Sequence, residues 1–277
     1  MGFLDEILSS KREELRARKL ELPLAELEER CLSLPPARDF AAELRPSHEA
    51  TVRLIAELKK ASPSRGVLSE SFDPLSLART YRENGAAALS ILTDEKVFQG
   101  RIELLNQVRP LVDCPLLRKD FILEEYQLFE SRALGADAIL LIVAALTPAA
   151  LTELLQAAKG LGLASLVEVH TREELDVALT AGAAVIGVNN RNLQTFDTRL
   201  ETSLDLIPTI PEGPVVVSES GIFSRNDVRR VVEAGAHAIL VGEALVRAVD
   251  VAAKVRELAL IDEQSAVSHQ PSVQPGK

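Results

Sequence analysis

Four stretches of this sequence repeat one pattern: N-G-A-A-A-L-S-I-L (84–92), L-G-A-D-A-I-L-L-I (134–142), A-G-A-A-V-I-G-V-N (181–189) and A-G-A-H-A-I-L-V-G (234–242). In each stretch a glycine stands where the end of a helix requires a left-handed backbone, and a short run rich in strand-forming residues follows it. The repeated unit is therefore a helix, a glycine and a strand.

Further apolar runs complete a set of eight candidate strands: 52–59, 87–92, 115–119, 138–143, 164–169, 184–189, 215–220 and 238–242. Several are apolar on both faces, which is typical of parallel strands covered by helices. Between them, Asp73-Pro74 and Thr147-Pro148 pair a helix cap with proline, and the T-R-E-E and S-R-N-D stretches that begin at Thr171 and Ser224 predict capping boxes. We predict an α/β fold, a (β/α)₈ TIM barrel with extra N-terminal helices. An open doubly wound sheet is the structural alternative, but no Gly-rich nucleotide motif follows the first strand.

The whole barrel is expected to form one domain over residues 1–262, including an N-terminal helical extension of about residues 1–48 that covers one end of it. The remaining stretch, 263–277, is polar and contains proline. We expect this C-terminal tail to be disordered.

Composition excludes several classes of function. The chain has 277 residues with 31 Lys and Arg against 41 Asp and Glu, and these charges are interleaved, so no basic stripe suits a nucleic acid. No apolar run approaches the ~20 residues that span a bilayer, so we expect no membrane partner. The two cysteines, Cys31 and Cys114, fit a reducing cytoplasm, and the four histidines lack metal-ligand spacing. We expect no metal.

Polar residues collect where the predicted strands end, which is where barrels of this kind have their active sites. Glu57 and Lys59 alternate onto one face, which can look inward at the barrel mouth. An isolated E-x-K pair is more often a surface ion pair worth at most about 1 kcal/mol. Four converging ionisable groups are costly, however, unless each is paired or used. The candidate site residues at these ends are Glu57, Lys59, Lys119, Glu168, Asn189, Arg191, Glu219 and Ser220.

The ends of the last two strands indicate a phosphate site. S-E-S-G-I (218–222) and V-G-E-A-L (241–245) contain glycines that let backbone N–H groups approach an anion. The alternative is that Gly221 and Gly242 only form tight turns. Phe98 and Phe121 follow strand ends and can line an aromatic pocket. His170 immediately precedes a predicted helix cap and is interpreted as a loop residue rather than a base.

Six motifs closely resemble the indole-3-glycerol-phosphate synthase family in order and spacing: A-E-L-K-K-A-S-P-S-R-G (56–66), L-L-R-K-D-F-I (116–122), L-V-E-V-H (166–170), G-V-N-N-R-N-L (187–193), V-S-E-S-G-I (217–222) and V-G-E-A-L (241–245). The resemblance runs from the N-terminal helices to about residue 260. It implies that 1-(2-carboxyphenylamino)-1-deoxyribulose 5-phosphate closes its ring, losing carbon dioxide and water, to give indole-3-glycerol phosphate. No organic cofactor or metal is implied.

The resemblance also implies roles for individual residues. Lys119 matches the general acid of ring closure, Glu168 looks like the base, and Glu57 with Lys59 looks like a supporting acid–base couple; how these four divide the steps stays open. Asn189 matches a residue that orients the substrate, and Arg191 matches one near its carboxylate. The phosphate end matches Ser220, Gly221, Gly242 and Glu243, although some relatives have a hydroxyl residue where Glu243 stands. Ser62 begins a predicted lid loop, 62–66.

The expected partner is a phosphorylated small-molecule substrate, bound by a monomer or weak homo-oligomer. Two other functions remain open. One is an aldolase-type barrel in which Lys59 or Lys119 forms a Schiff base with a phosphosugar ketone. The other is a non-catalytic barrel that binds a phosphorylated metabolite or a partner protein.

Overall fold

The fold is a closed barrel of parallel strands. A computed structural model describes residues 2–47, 51–62, 66–69 and 72–261. Its eight barrel strands are β1 (Arg53–Leu58), β2 (Ala88–Leu92), β3 (Leu116–Lys119), β4 (Ala138–Ile142), β5 (Ala164–Val169), β6 (Val185–Asn189), β7 (Val215–Glu219) and β8 (Ala238–Val241). Each strand pairs with the next, and β8 pairs with β1. The predicted TIM barrel is therefore confirmed, and every predicted strand agrees to within one residue at each end.

Helices precede and follow the strands. They are α1 (Phe3–Glu21), α2 (Leu24–Leu32), α3 (Phe40–Glu43), α4 (Pro74–Glu83), α5 (Glu95–Phe98), α6 (Leu104–Val108), α7 (Tyr126–Ala133), α8 (Pro148–Gly160), α9 (Arg172–Thr180), α10 (Glu201–Leu206), α11 (Arg225–Glu233), α12 (Glu243–Val246) and α13 (Val251–Leu258). A short antiparallel hairpin, Ala61–Ser62 with Gly66–Val67, follows β1.

Side-chain caps begin the helices where the sequence predicts them. The Asp73 carboxylate accepts hydrogen bonds from Leu75 and Ser76 N–H, and the Thr147 hydroxyl accepts from Ala150 N–H. Ser224 forms the predicted reciprocal capping box at α11. Thr171 caps α9 as predicted, but the box does not form, because the Glu174 carboxylate instead accepts from the N–H of His170 at 2.6 Å.

Strand β1 shows how alternation divides the core into two layers. Its residues Leu54, Ala56 and Leu58 pack into the apolar layer between strands and helices. Ile55 belongs instead to the cluster that fills the barrel interior. Glu57 shares the inward parity of Ile55, so the backbone of β1 aims this carboxylate into the barrel mouth.

The N-terminal extension contacts both ends of the barrel rather than one. Phe40 and Leu44 are fully buried in the interior cluster. Beside them, Arg38 Nη1 donates to the carbonyl oxygen of Cys114, just before β3, at 2.9 Å. Helix α1 reaches the opposite end, where Lys11 Nζ lies 2.9 Å from Asp120 Oδ1, just after β3.

Two predictions lie outside the described residues: the centre of the lid loop, residues 63–65, and the tail, 263–277. Within the part of the chain that the structure describes, no helix is long and apolar enough to cross a membrane. Among those same residues, no group of three or more His, Cys, Asp or Glu side chains is arranged to hold a metal ion.

Candidate active site

A cleft at the C-terminal ends of the strands gathers the predicted site residues. Its empty volume is about 960 Å³ including the open mouth, which is enough for a small phosphorylated metabolite. The predicted residues that line it are Glu57, Lys59, Phe98, Lys119, Phe121, Glu168, Asn189, Arg191, Glu219, Ser220, Gly221, Gly242 and Glu243. The side chain of Ser62 lies outside the described residues.

The cleft also contains apolar residues that the sequence analysis missed: Leu140, Ile142, Leu193, Phe196, Phe223 and Leu240. Apart from Phe98 and Phe121, the residues predicted to form the site were polar residues and glycines, so these side chains were not included. Inward parity at the ends of β4 and β8 would have identified Leu140, Ile142 and Leu240. Together with Phe98 and Phe121 they give the cleft an apolar wall.

Odd-numbered strands supply the charged centre of the cleft. Glu57 comes from β1, Lys119 from β3, Glu168 from β5 and Glu219 from β7. Side chains inside such barrels stack in layers to which alternate strands contribute, so these four groups meet at one level. The Lys119 ammonium bridges two of the carboxylates: its Nζ lies 2.9 Å from Glu168 Oε2 and also donates to Glu219 Oε2.

The pKa values of the two carboxylates beside Lys119 are shifted in opposite directions. Burial raises the pKa of Glu168, but the Lys119 ammonium and the His170 imidazole outweigh burial and hold that pKa well below its ordinary range. Burial raises the pKa of Glu219 to about 7, with Lys119 opposing the shift and Glu168 adding to it. Among the described residues, Glu219 Oε1 has no hydrogen-bond partner, which agrees with its higher proton affinity. Of the two carboxyl groups beside Lys119, Glu219 therefore has the higher pKa.

The two lysines differ as well. For Lys119, burial favours the neutral amine, but Glu168, Glu219 and Glu57 outweigh it and raise the pKa. Within the described residues, the carboxylate paired with Lys59 is that of Glu57, whose Oε1 lies 3.5 Å from Lys59 Nζ. Lys59 Nζ also lies 5.4 Å from the centre of the Phe98 ring. Burial lowers the pKa of Lys59. The positive charges of Arg191 and Lys119 add to this shift, and the Glu57 carboxylate opposes it. Lys59 is the ammonium that more readily gives up a proton.

Two glycines make room for these carboxylates. A Cβ added at Gly187 of β6 would lie 2.0 Å from Glu219 Oε1. A Cβ added at Gly242 would lie 2.7 Å from Glu57 Oε1. Contacts this close are not tolerated, so a side chain at either position would displace an acidic group of the cleft.

Arg191 is held at the side of the cleft. Its backbone N–H donates to Asn189 Oδ1 at 3.0 Å, and its Nε donates to Thr198 Oγ1 at 3.2 Å. Its Nη2 lies 3.5 Å from Glu243 Oε2, and Arg247 Nη1 lies 3.2 Å from the other Glu243 oxygen. The Glu243 carboxylate thus faces two guanidinium groups, which explains how an anionic residue is accommodated beside a predicted phosphate site.

The loops after β7 and β8 have the backbone form of an anion site. Ser220 and Gly221 have positive φ angles of 65° and 73°. Asn190 Nδ2 holds this turn by donating to Ser220 O at 2.9 Å. The backbone N–H groups of Gly221 and Gly242 donate to no other group in the described part of the chain. Free backbone donors of this kind suit a phosphate.

Two residues near the cleft have ion pairs that the sequence analysis did not predict. His170 does lie in the loop between β5 and α9, but it is mostly buried there and lies 3.3 Å from Glu168 Oε1. Lys11, in the predicted N-terminal helical extension, is 1% exposed and pairs with Asp94 and Asp120 at 2.9 Å each. Asp94 and Asp120 are distant from Lys11 in the chain, so local sequence carried no signal for that cluster. The carboxylates beside His170, in contrast, belong to the neighbouring residues Glu168 and Glu174.

A closed (β/α)₈ barrel whose strand ends bring lysines and carboxylates into one cleft defines an acid–base enzyme of the TIM-barrel class. The barrel resembles 3-hexulose-6-phosphate synthase from Salmonella typhimurium (TM-score 0.62, 15% identity, 79% of this chain and all of that chain). It also resembles thiamine phosphate pyrophosphorylase from Pyrococcus furiosus (TM-score 0.58, 20% identity, 78% of this chain and 97% of that chain). At such identities the likeness shows the fold alone.

Sequence comparison identifies the family. The family profile described as Indole-3-glycerol phosphate synthase matches residues 4–258. Relatives with that name come from Roseiflexus sp. (strain RS-1), 52% identical with 92% of this chain and 97% of the relative covered, and from Chloroherpeton thalassium, 50% identical with 89% and 95% covered. The chain belongs to the indole-3-glycerol phosphate synthase family, enzymes of tryptophan biosynthesis, and the resemblance drawn from the motifs is confirmed.

Proposed function

We propose that this chain converts 1-(2-carboxyphenylamino)-1-deoxyribulose 5-phosphate into indole-3-glycerol phosphate, carbon dioxide and water by general acid–base catalysis. The single observation that carries this proposal is the Lys119 ammonium held between Glu168 and Glu219, beside the Lys59–Glu57 pair, in one cleft. Ring closure and dehydration both require protons to be delivered and removed, and this arrangement supplies acids and bases of different strength.

The cleft offers a separate environment for each part of the substrate. The aromatic ring fits the apolar wall formed by Phe98, Phe121, Leu140, Ile142 and Leu193. The phosphate fits the free N–H groups of Gly221 and Gly242 at the opposite side. Arg191 can hold the substrate carboxylate through parallel hydrogen bonds, a geometry that lysine cannot provide.

Lys119 acts in ring closure. As the aromatic carbon attacks the ketone carbon, a carbon–carbon bond forms and the ketone oxygen becomes a hydroxyl group that must gain a proton. Lys119, which is charged in the resting site, donates this proton and becomes a neutral amine that regains a proton from solvent before the next turnover. Departure of carbon dioxide restores the aromatic ring. Glu168, whose low pKa keeps it ionised, holds Lys119 in place for this step.

Dehydration needs one proton delivered to the hydroxyl group and one removed from the new ring. Lys59 is suited to the delivery because its pKa is lowered by burial. Glu219 is suited to the removal because its pKa of about 7 lies near working pH. The electrostatics thus support Glu219 rather than Glu168 as the base in the proposed mechanism.

The direct test is incubation of the protein with the carboxyphenylamino-deoxyribulose phosphate while indole fluorescence is monitored. Appearance of indole fluorescence with release of carbon dioxide supports the proposal. Binding without turnover would favour the non-catalytic barrel instead. A substrate adduct trapped by borohydride on Lys59 or Lys119 would favour the Schiff-base mechanism, since acid–base catalysis forms no covalent intermediate.

The Glu219→Gln variant is expected to lose about 10²- to 10⁴-fold in kcat, as is typical when a general base is removed. In the native protein, kcat/KM should rise with pH and level off above about pH 7, because the raised pKa of Glu219 leaves it protonated below that value. The variant should lack this rise. Glu201→Gln is the control: this carboxylate is half-exposed beside Arg230 and should leave the profile unchanged. An identical pH rise in both variants would contradict the role of Glu219.

We further propose a cytoplasmic location and a monomer or weak homo-oligomer. Two unpaired thiols, Cys31 and Cys114, support a reducing compartment. Light scattering over a range of concentrations measures the state of association.

A further inference from the structure

His170 lies between two carboxylates at the end of β5. Its Nε2 is 3.3 Å from Glu168 Oε1, and its Nδ1 is 3.1 Å from Glu174 Oε2, at the start of α9. The Nε2–H does not point directly at the Glu168 oxygen, so this contact is an ion pair rather than an aligned hydrogen bond. The Glu174 carboxylate also accepts from the backbone N–H of His170, which fixes the imidazole between strand and helix.

Glu168 is therefore placed between two cations. Its Oε2 accepts from Lys119 at 2.9 Å, while its Oε1 faces His170. The carboxylate is only 2% exposed, so each of these charges acts through a medium of low polarity. His170 itself does not line the cleft, and it can act on the reaction only through Glu168.

We propose that His170 is a positioning residue: its imidazolium, held by Glu174, fixes the Glu168 carboxylate against Lys119. The proposal deepens the proposed function and rests on it for the effect on turnover, but the protonation of His170 can be measured without turnover. It adds to the acid–base site a second layer made of Glu174 and His170.

The charges around the imidazole support this. Within the described residues, the charged groups facing His170 are Glu168 from β5 and Glu174 from α9. Beyond Glu168 lie Lys119 from β3 and Glu219 from β7. Burial lowers the pKa of His170, but the two adjacent carboxylates outweigh it and raise that pKa to about 10. The imidazole thus stays protonated across the working range of pH.

An NMR titration of histidine-labelled native protein tests the charge directly. Comparison with His170→Gln assigns the imidazole signal of His170. We expect this signal to keep the chemical shifts of a protonated imidazole from about pH 6 to pH 8.5, whereas an ordinary histidine titrates near 6.5. Glu174→Gln should lower the midpoint, and Asp176→Asn, which removes an exposed carboxylate paired with Arg172 on the same helix, should not. A native midpoint near 6.5 would overturn the proposal, whether or not the protein makes indole.

The effect on turnover is tested by comparing kcat/KM of His170→Gln with that of the native protein. The same comparison is made in a Glu168→Gln background, because His170 is expected to act only through the Glu168 carboxylate. We expect His170→Gln to lower kcat/KM by about tenfold in the native background and by less than about twofold in the Glu168→Gln background. An equal loss in both backgrounds would show a merely structural residue and would sink the positioning role.

Discussion

The Lys119→Ala variant should make indole at least about 10²-fold more slowly than the native protein, because no other cation can protonate the ketone oxygen from the same position. The Lys119 ammonium bridges the carboxylates of Glu168 and Glu219, and it lowers the pKa of both. Without the ammonium, the two carboxylates face each other and compete for a proton, which disturbs the base as well as the acid. Initial rates of indole fluorescence measure the loss.

Two further variants make this result interpretable. Lys119→Met retains most of the side-chain volume, so a similar loss in this variant assigns the effect to charge rather than to a cavity. Lys159→Ala removes an exposed lysine from the last turn of α8 and should leave turnover unchanged. Circular dichroism reports whether each variant is folded. Near-normal turnover by folded Lys119→Ala would refute its assignment as the acid.

Local patterns were sufficient to predict the barrel. In four places the glycine that ends a helix and the apolar run after it lie within nine residues of each other, as in 84–92, and apolar runs indicate the other four strands. Once eight parallel strands close into a ring, their C-terminal ends meet at one end of the barrel. This is why Glu57, Lys119 and Glu168 were predicted together although they are far apart in the chain.

The electrostatics of the cleft were not predictable in the same way. The sequence places Lys59 and Lys119 at equivalent strand ends, yet one has a lowered pKa and the other a raised one. The difference arises because Lys119 contacts two carboxylates and Lys59 lies near one. Counting such neighbours requires the register of every strand around the barrel, which no single segment contains.

The Lys11→Ala variant is expected to lose about 3–5 kcal/mol of unfolding free energy, since breaking a buried ion pair leaves uncompensated charges. Lys11 Nζ lies 2.9 Å from each of three carboxylates, those of Glu14, Asp94 and Asp120. Asp94 also accepts from Val97 N–H and so begins the helix that carries Phe98 into the cleft. The measurement is equilibrium unfolding in urea, in which the midpoint should fall.

Lys19→Ala is the matched control, because the same helix and the same charge are changed. Lys19 Nζ lies 2.7 Å from Glu124 Oε2, but both side chains are about 40% exposed, and such a pair contributes at most about 1 kcal/mol.

The pH dependence of the unfolding free energy gives a second test of the Lys11 cluster. Burial raises the pKa of Asp120, but Arg118 and Lys11 outweigh burial and hold that pKa below its ordinary value. The ion pairs of Asp120 therefore stabilise the fold above about pH 4, and this stabilisation is lost as the pH falls. The difference in unfolding free energy between the native protein and Lys11→Ala should therefore become smaller in acid. If Lys11→Ala and Lys19→Ala lost the same unfolding free energy at neutral pH, the buried Lys11 cluster would stabilise the fold no more than an exposed ion pair does.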